Sequence, residues 1–77
     1  MPQFIAYHAD EPDGTGAAPM ATGADEITTR EKALERAQRL GYTQGFFRVE
    51  RQDDMDPEAF RDLTQFMDTY FETGGHA

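Results

Sequence analysis

Cysteine, serine, asparagine and tryptophan are all absent from this sequence of 77 residues. Without cysteine the chain forms no disulfide and offers no thiolate to a metal or a substrate. Without serine it lacks the nucleophile of Ser-His-Asp triads. No apolar run approaches the roughly 18 residues that span a bilayer, and the first residues lack the charged start and apolar segment of a signal peptide. These absences predict a protein of the reducing cytoplasm that binds no membrane.

The chain is rich in aromatic and acidic side chains. Six phenylalanines and three tyrosines supply a core that a disordered acidic tail would lack. A chain of this length accommodates one domain, so we expect residues 1–77 to fold as a single unit.

The net charge of −8 is unevenly distributed. Residues 1–27 carry five acidic and no basic side chains, residues 28–52 carry three acidic and six basic ones, and residues 53–77 carry seven acidic and one basic. Such a chain repels nucleic acid, so direct binding to it is not expected. It is attracted to basic protein surfaces, including those that hold nucleic acid.

Short aromatic and branched segments predict strands at residues 3–8 and 46–51. Residues 17–22 form either a loop or a weak strand, which Pro19 would confine to the edge of a sheet. In the 46–51 segment alternate residues point to opposite faces, which is typical of a sheet with one packed and one solvated face.

The first helix is predicted over residues 28–40. Thr28 followed by Glu31 fits a capping box, and Gly41 fits the left-handed residue that follows many helices. Its apolar residues recur at helical spacing and form a narrow stripe: Ala33, Leu34, Ala37 and Leu40.

The second helix is predicted over residues 57–72, with Asp56 as N-cap and Pro57 at the first helical position. Its apolar residues also recur at helical spacing: Ala59, Phe60, Leu63, Phe66, Met67, Tyr70 and Phe71. This stripe predicts core packing; the alternative is that some of the last aromatic residues stay exposed as an interface anchor. The elements together predict an α+β fold, in which a small antiparallel sheet of two or three strands carries both helices on one face.

No group of side chains points to catalysis or to a cofactor. His8 and His76 have no nucleophile near them in the sequence, and the carboxylates cluster in turns and on a polar helix face. The segment from Asp10 to Gly14 is similar to the start of a calcium loop, but Met20 then stands where a bidentate Glu is required. We therefore expect a protein that is not an enzyme and holds no metal or cofactor.

The acidic cluster around the start of the second helix suggests a function. Five carboxylates fall within ten residues: Asp53, Asp54, Asp56, Glu58 and Asp62. One interpretation is solubility combined with favourable interaction with the helix dipole. The other is a patch that accepts charge-assisted hydrogen bonds from Lys and Arg of a partner protein, as DNA phosphates do. Three acids near the N-terminus would extend the patch if the fold brings them close: Asp10, Glu11 and Asp13.

In size, acidity, lack of catalytic residues and α+β pattern, the chain resembles the anti-CRISPR proteins encoded by phages and mobile elements. Several members of that group imitate DNA with an acidic face and block target-DNA binding by a CRISPR effector complex. The resemblance is one of profile along the whole chain, and no functional residue is carried over from it.

These observations predict a non-enzymatic inhibitor that binds a basic nucleic-acid-binding surface by DNA mimicry, with a CRISPR effector as the expected partner. The alternative is a structural or regulatory interaction module, such as an antitoxin-like or accessory phage protein, that binds through an apolar patch or by self-association. Acids that converge on one face favour the first function, and scattered acids favour the second.

Overall fold

Three strands and two helices make up the fold in the computed structural model, which describes residues 2–14, 16–41 and 45–72. In chain order they are β1 (Phe4–Ala9), β2 (Ala18–Gly23), α1 (Glu26–Arg39), β3 (Phe46–Arg51) and α2 (Pro57–Glu72). The predicted α+β fold, with two helices against a small antiparallel sheet, is confirmed.

The sheet has the order β2-β1-β3, and both pairs of strands are antiparallel. The uncertain segment near residues 17–22 is therefore a strand, and Pro19 lies on an edge strand, where a missing N–H is tolerated. The register slips opposite Ala6 and Tyr7, whose partners are Ala21 and Pro19, so Met20 is an extra residue in β2. This bulge interrupts the regular pairing of β2 with β1 near the start of β2.

The helix predicted at about residues 28–40 begins two residues earlier, because Asp25 rather than Thr28 caps it. The Asp25 Oδ2 atom accepts a hydrogen bond of 2.8 Å from the backbone N–H of Thr28, which places Thr28 inside the first turn. Thr29 lies in the same turn and is buried, and its hydroxyl donates to the Asp25 carbonyl. At the other end Gly41 has a φ of 81°, the left-handed conformation that the sequence predicted after the helix.

The bounds predicted for α2 are confirmed at both ends. An Asp56 carboxylate oxygen accepts from the Ala59 backbone N–H at 3.2 Å, and Pro57 occupies the first helical position. Within the described residues, neither helix is long and apolar enough to cross a membrane.

The buried core joins the sheet to both helices through small residues and a few large ones. Its members are Ala6, Met20, Ala21, Ala33, Ala37, Met67 and Phe71. Alanine on both the sheet and α1 allows the helix to approach the strands closely, and the large side chains of α2 then fill the space beside β2. Leu34, which the sequence placed on the α1 stripe, is instead exposed.

Candidate functional site

The acidic residues named from the sequence form two separate groups at opposite ends of β1. The backbone N–H of Gln3, just before β1, donates to Asp53 at 2.9 Å, so the cluster that precedes α2 lies at the start of this strand. Asp10, Glu11 and Asp13 follow its end. A strand of 6 residues spans about 20 Å. The fold therefore does not bring the two groups together.

Two acids of the cluster around the start of α2 make contacts that stabilise the fold. Asp53 accepts from the Gln3 backbone N–H and from Arg51 Nε, the latter at 2.6 Å. Both contacts hold the pKa of Asp53 below its usual value, and the hydrogen bond from Gln3 has the larger effect. Asp56 is the N-cap of α2. Both carboxylates are thus already engaged by groups of the same chain.

The other three members of the cluster are exposed and not engaged. Among the described residues, no hydrogen bond or ion pair reaches the side chains of Asp54, Glu58 and Asp62. Glu58 and Asp62 are four residues apart, so they lie on neighbouring turns of the same side of α2. These two carboxylates are free to accept hydrogen bonds from a partner.

The aromatic residues of α2 divide between the core and the solvent. Phe71 is buried, as the core interpretation required, but Phe66 is 67% exposed and Tyr70 is 43% exposed, so the core prediction was wrong for these two. The rings of Phe66 and Tyr70 stack with centroids 6.2 Å apart, and the rings of Tyr70 and Phe71 are nearly perpendicular with centroids 5.1 Å apart. The apolar arc of α2 is wider than the small sheet and α1 can cover.

Glu58, Asp62, Phe66 and Tyr70 follow one another at intervals of four residues, and we call them the α2 outer stripe. Each step advances about 6 Å along the helix axis and turns slowly around it. The first half of the stripe is acidic and the second half is aromatic. The spacing was visible in the sequence, but the sequence did not show that the aromatic half faces solvent.

An open groove of about 770 Å³ lies between the aromatic end of α2 and the start of β2. Met20, Met67 and Phe71 supply apolar surface, while Asp10 adds a carboxylate to the lining. This volume is in the range of ligand and peptide pockets. The groove therefore extends the apolar surface that begins at Phe66 and Tyr70.

No group of three or more His, Asp or Glu side chains in the described part of the chain is placed to hold a metal ion. His8 is largely buried, and its ring contacts Phe47 edge-on at 5.2 Å. His76 lies outside the described residues.

Comparisons with protein-family models, curated proteins and solved structures found no match for this chain. Function is therefore inferred from its own side chains.

Proposed function

We propose that this protein is a non-enzymatic binding protein that docks through the α2 outer stripe onto a partner protein bearing Lys and Arg beside an apolar depression. The observation that carries the proposal is the stacked pair Phe66 and Tyr70, exposed beyond two unengaged carboxylates on one stripe that winds slowly around α2. A stripe on a single helix is held rigid before binding, so little conformational entropy is lost when the partner docks.

The two halves of the stripe contribute differently to affinity. Full burial of a phenylalanine side chain stabilises a complex by about 1.5–3 kcal/mol, and aromatic residues are frequent anchors of interfaces. Hydrogen bonds from a cation to Glu58 or Asp62 add roughly 1.5–3 kcal/mol each when desolvated. Both halves are therefore expected to contribute to affinity, and the acidic half also selects basic partners.

The partner class that best matches this combination is a protein surface that normally holds nucleic acid, and we propose a CRISPR effector complex as the specific case. The net charge of −8 would steer the chain toward such a surface. Glu58 and Asp62 are separated by about 6 Å along the axis of α2, similar to the rise of about 6.8 Å along the duplex axis between alternate phosphates of one DNA strand. The absence of cysteine favours a cytoplasmic setting for this encounter.

The specific case is tested by adding the protein to a purified CRISPR effector complex and measuring the fraction of target DNA that it binds. Wild-type protein is expected to lower that fraction, and Glu58→Lys with Asp62→Lys should weaken the inhibition at least about tenfold. A matched control changes the net charge equally at exposed sites outside the stripe: Glu11→Lys with Glu31→Lys. Inhibition that is absent, or equally weakened by both double variants, would contradict DNA mimicry at this site.

The docking surface is tested independently of the partner's identity by photo-crosslinking. A benzoylphenylalanine at position 66 is compared with one at position 27, because Phe66 and Ile27 are both 67% exposed. Position 66 should give a discrete adduct in cells and position 27 should not. Equal adducts from both positions would show that the stripe is not a specific interface.

A second candidate function is an interaction module that binds through apolar contacts alone, and the groove beside Phe66 and Tyr70 favours it. In that case irradiation of a lysate should still form the position-66 adduct at high salt and in the Glu58→Lys, Asp62→Lys variant, and should form none when Tyr70 is replaced by alanine. Exposed charges are screened over about 8 Å at physiological ionic strength, so salt sensitivity separates the two functions.

A further inference from the structure

The two edge strands of the sheet differ in whether another strand can pair with them. At the β2 edge, Arg36 Nη1 donates to the Met20 carbonyl at 2.8 Å and Lys32 Nζ donates to the Thr22 carbonyl at 3.2 Å. Pro19 on the same strand has no N–H to offer. Two cations from α1, a proline and a bulge therefore close this edge to another strand.

The β3 edge is open. The Gln52 N–H donates to the Gln3 carbonyl at 2.7 Å, which makes this pair a hydrogen-bonded one. Because such pairs alternate along an antiparallel ladder, the N–H and C=O groups of Phe47, Val49 and Arg51 point away from β1. Among the described residues, no hydrogen bond satisfies these outward groups.

We propose that the β3 edge pairs with the β3 edge of a second copy of this chain, antiparallel, with the two-fold axis at Val49. The outward groups then form three hydrogen-bonded pairs, in which Val49 faces Val49 and Phe47 faces Arg51 of the other copy. The two three-stranded sheets become one continuous sheet of six strands. This surface is distinct from the α2 outer stripe, and the inference does not depend on the proposed function.

The charges of β3 select both the occupant and the register. With the axis at Val49, Arg48 of each copy lies directly opposite Glu50 of the other, so two opposite-charge pairs form across the interface. A shift of two residues in either direction places Arg48 opposite Arg48 or Glu50 opposite Glu50, which is destabilising. A shift of one residue would set outward backbone groups against inward ones and form no ladder. The edge is therefore complementary to itself in one register.

The position of β3 in the chain also favours self-pairing. A protein of net charge −8 repels its own copies, but residues 28–52 carry six basic and three acidic side chains. The open edge thus lies in the basic part of the chain, where two copies approach with the least repulsion. Phe46, at the start of the strand and half exposed, adds apolar area on the face that carries Arg48.

Charge exchange at two positions tests the proposal by sedimentation velocity over a wide concentration range. Wild-type protein should dimerise, whereas Arg48→Glu and Glu50→Arg should each raise the dimer dissociation constant at least about tenfold, because each places like charges opposite one another. The double variant should recover the dimer, and an equimolar mixture of the two single variants should form a heterodimer. Arg61→Glu and Glu31→Arg, which make the same charge changes elsewhere, should leave the dimer unchanged.

Three results would overturn the proposal: a wild-type monomer at every concentration, a dimer that both single variants leave intact, or a double variant that stays monomeric while its circular dichroism is native. A loss of dimer in Phe66→Ala would place the interface on α2 instead. Amide exchange supplies a second measurement, since the N–H groups of Phe47, Val49 and Arg51 should be protected in the dimer and exchange freely in the Arg48→Glu monomer. Free exchange in the wild-type dimer would exclude this edge.

Discussion

Replacing Arg36 by alanine removes a cation that joins α1 to β2 and α2. Its side chain is only 10% exposed, and its two terminal nitrogens donate to the Met20 carbonyl at 2.8 Å and to an Asp68 carboxylate oxygen at 2.6 Å. The guanidinium also lies over the buried Phe71 ring, 5.0 Å from its centroid. The substitution therefore acts on the edge of the sheet, on an ion pair and on the core at once.

The magnitude follows from these three contacts. A buried carbonyl left without its donor costs about 1–3 kcal/mol. The ion pair adds roughly 0.5–1 kcal/mol, because 39% of the Asp68 side chain is exposed and solvent screens it. The contact with Phe71 adds about 0.5–1 kcal/mol. The expected loss is about 2–5 kcal/mol, a large part of the roughly 4–12 kcal/mol that a chain of this length has.

Urea unfolding followed by far-UV circular dichroism measures this loss. With a slope of about 1 kcal/mol/M for a small domain, the midpoint should fall by at least about 2 M. Arg36→Lys keeps one charged donor and should lose about half as much. Arg30→Ala is the matched control, because the Arg30–Glu26 pair is exposed and 3.7 Å long, and its loss should cost less than about 0.5 kcal/mol. If the midpoints of Arg36→Ala and Arg30→Ala coincide, Arg36 does not hold the edge of β2.

Three further predictions concern stability. Because contacts with Gln3 and Arg51 depress the pKa of Asp53, its contribution is present above its ordinary value of 3.8 and is lost as the pH falls through the lower folded value. The urea midpoint should therefore drop less between about pH 6 and about pH 3 in Asp53→Asn than in wild type, and an equal drop would contradict this role. Met67→Ala should cost about 2–5 kcal/mol, since Met67 is 2% exposed, while Phe66→Ala should cost less than about 0.5 kcal/mol; the reverse order would mean that the wrong side of α2 was assigned to the core. Thermal melts with and without excess chelator should coincide, and a fall of several degrees on chelation would reveal a structural metal.

The secondary structure was predictable wherever its signals are local. The bounds of α2 follow from Asp56 and Pro57, which act on the adjacent turn and need no distant contact. The start of α1 was less predictable, because Asp25 and Thr28 are both good capping residues three positions apart. In the structure Asp25 caps the helix, and Thr29 in the first turn is fully buried with its hydroxyl bonded to the Asp25 carbonyl, a burial that the local sequence does not show.

The candidate site was predictable only in part. The sequence identified the acidic cluster, but it could not show that Asp53 is engaged by Gln3, because 50 residues separate the two. Nor could it show that the acids near Asp10 lie a strand's length away from that cluster. The split between buried Phe71 and exposed Phe66 was likewise open, since both belong to one helical stripe.

By itself, then, the sequence determined an acidic chain with an α+β fold, the approximate bounds of both helices and of β1 and β3, and the placement of its basic side chains in the middle segment. These properties depend on composition and on interactions within a few residues. Tertiary structure alone decided that Arg36 is buried against β2, that α2 turns Phe66 outward, and that β3 leaves an open edge. Each of these depends on how much surface a small sheet can cover and on which strand pairs with which, and both are set by contacts between residues far apart in the chain.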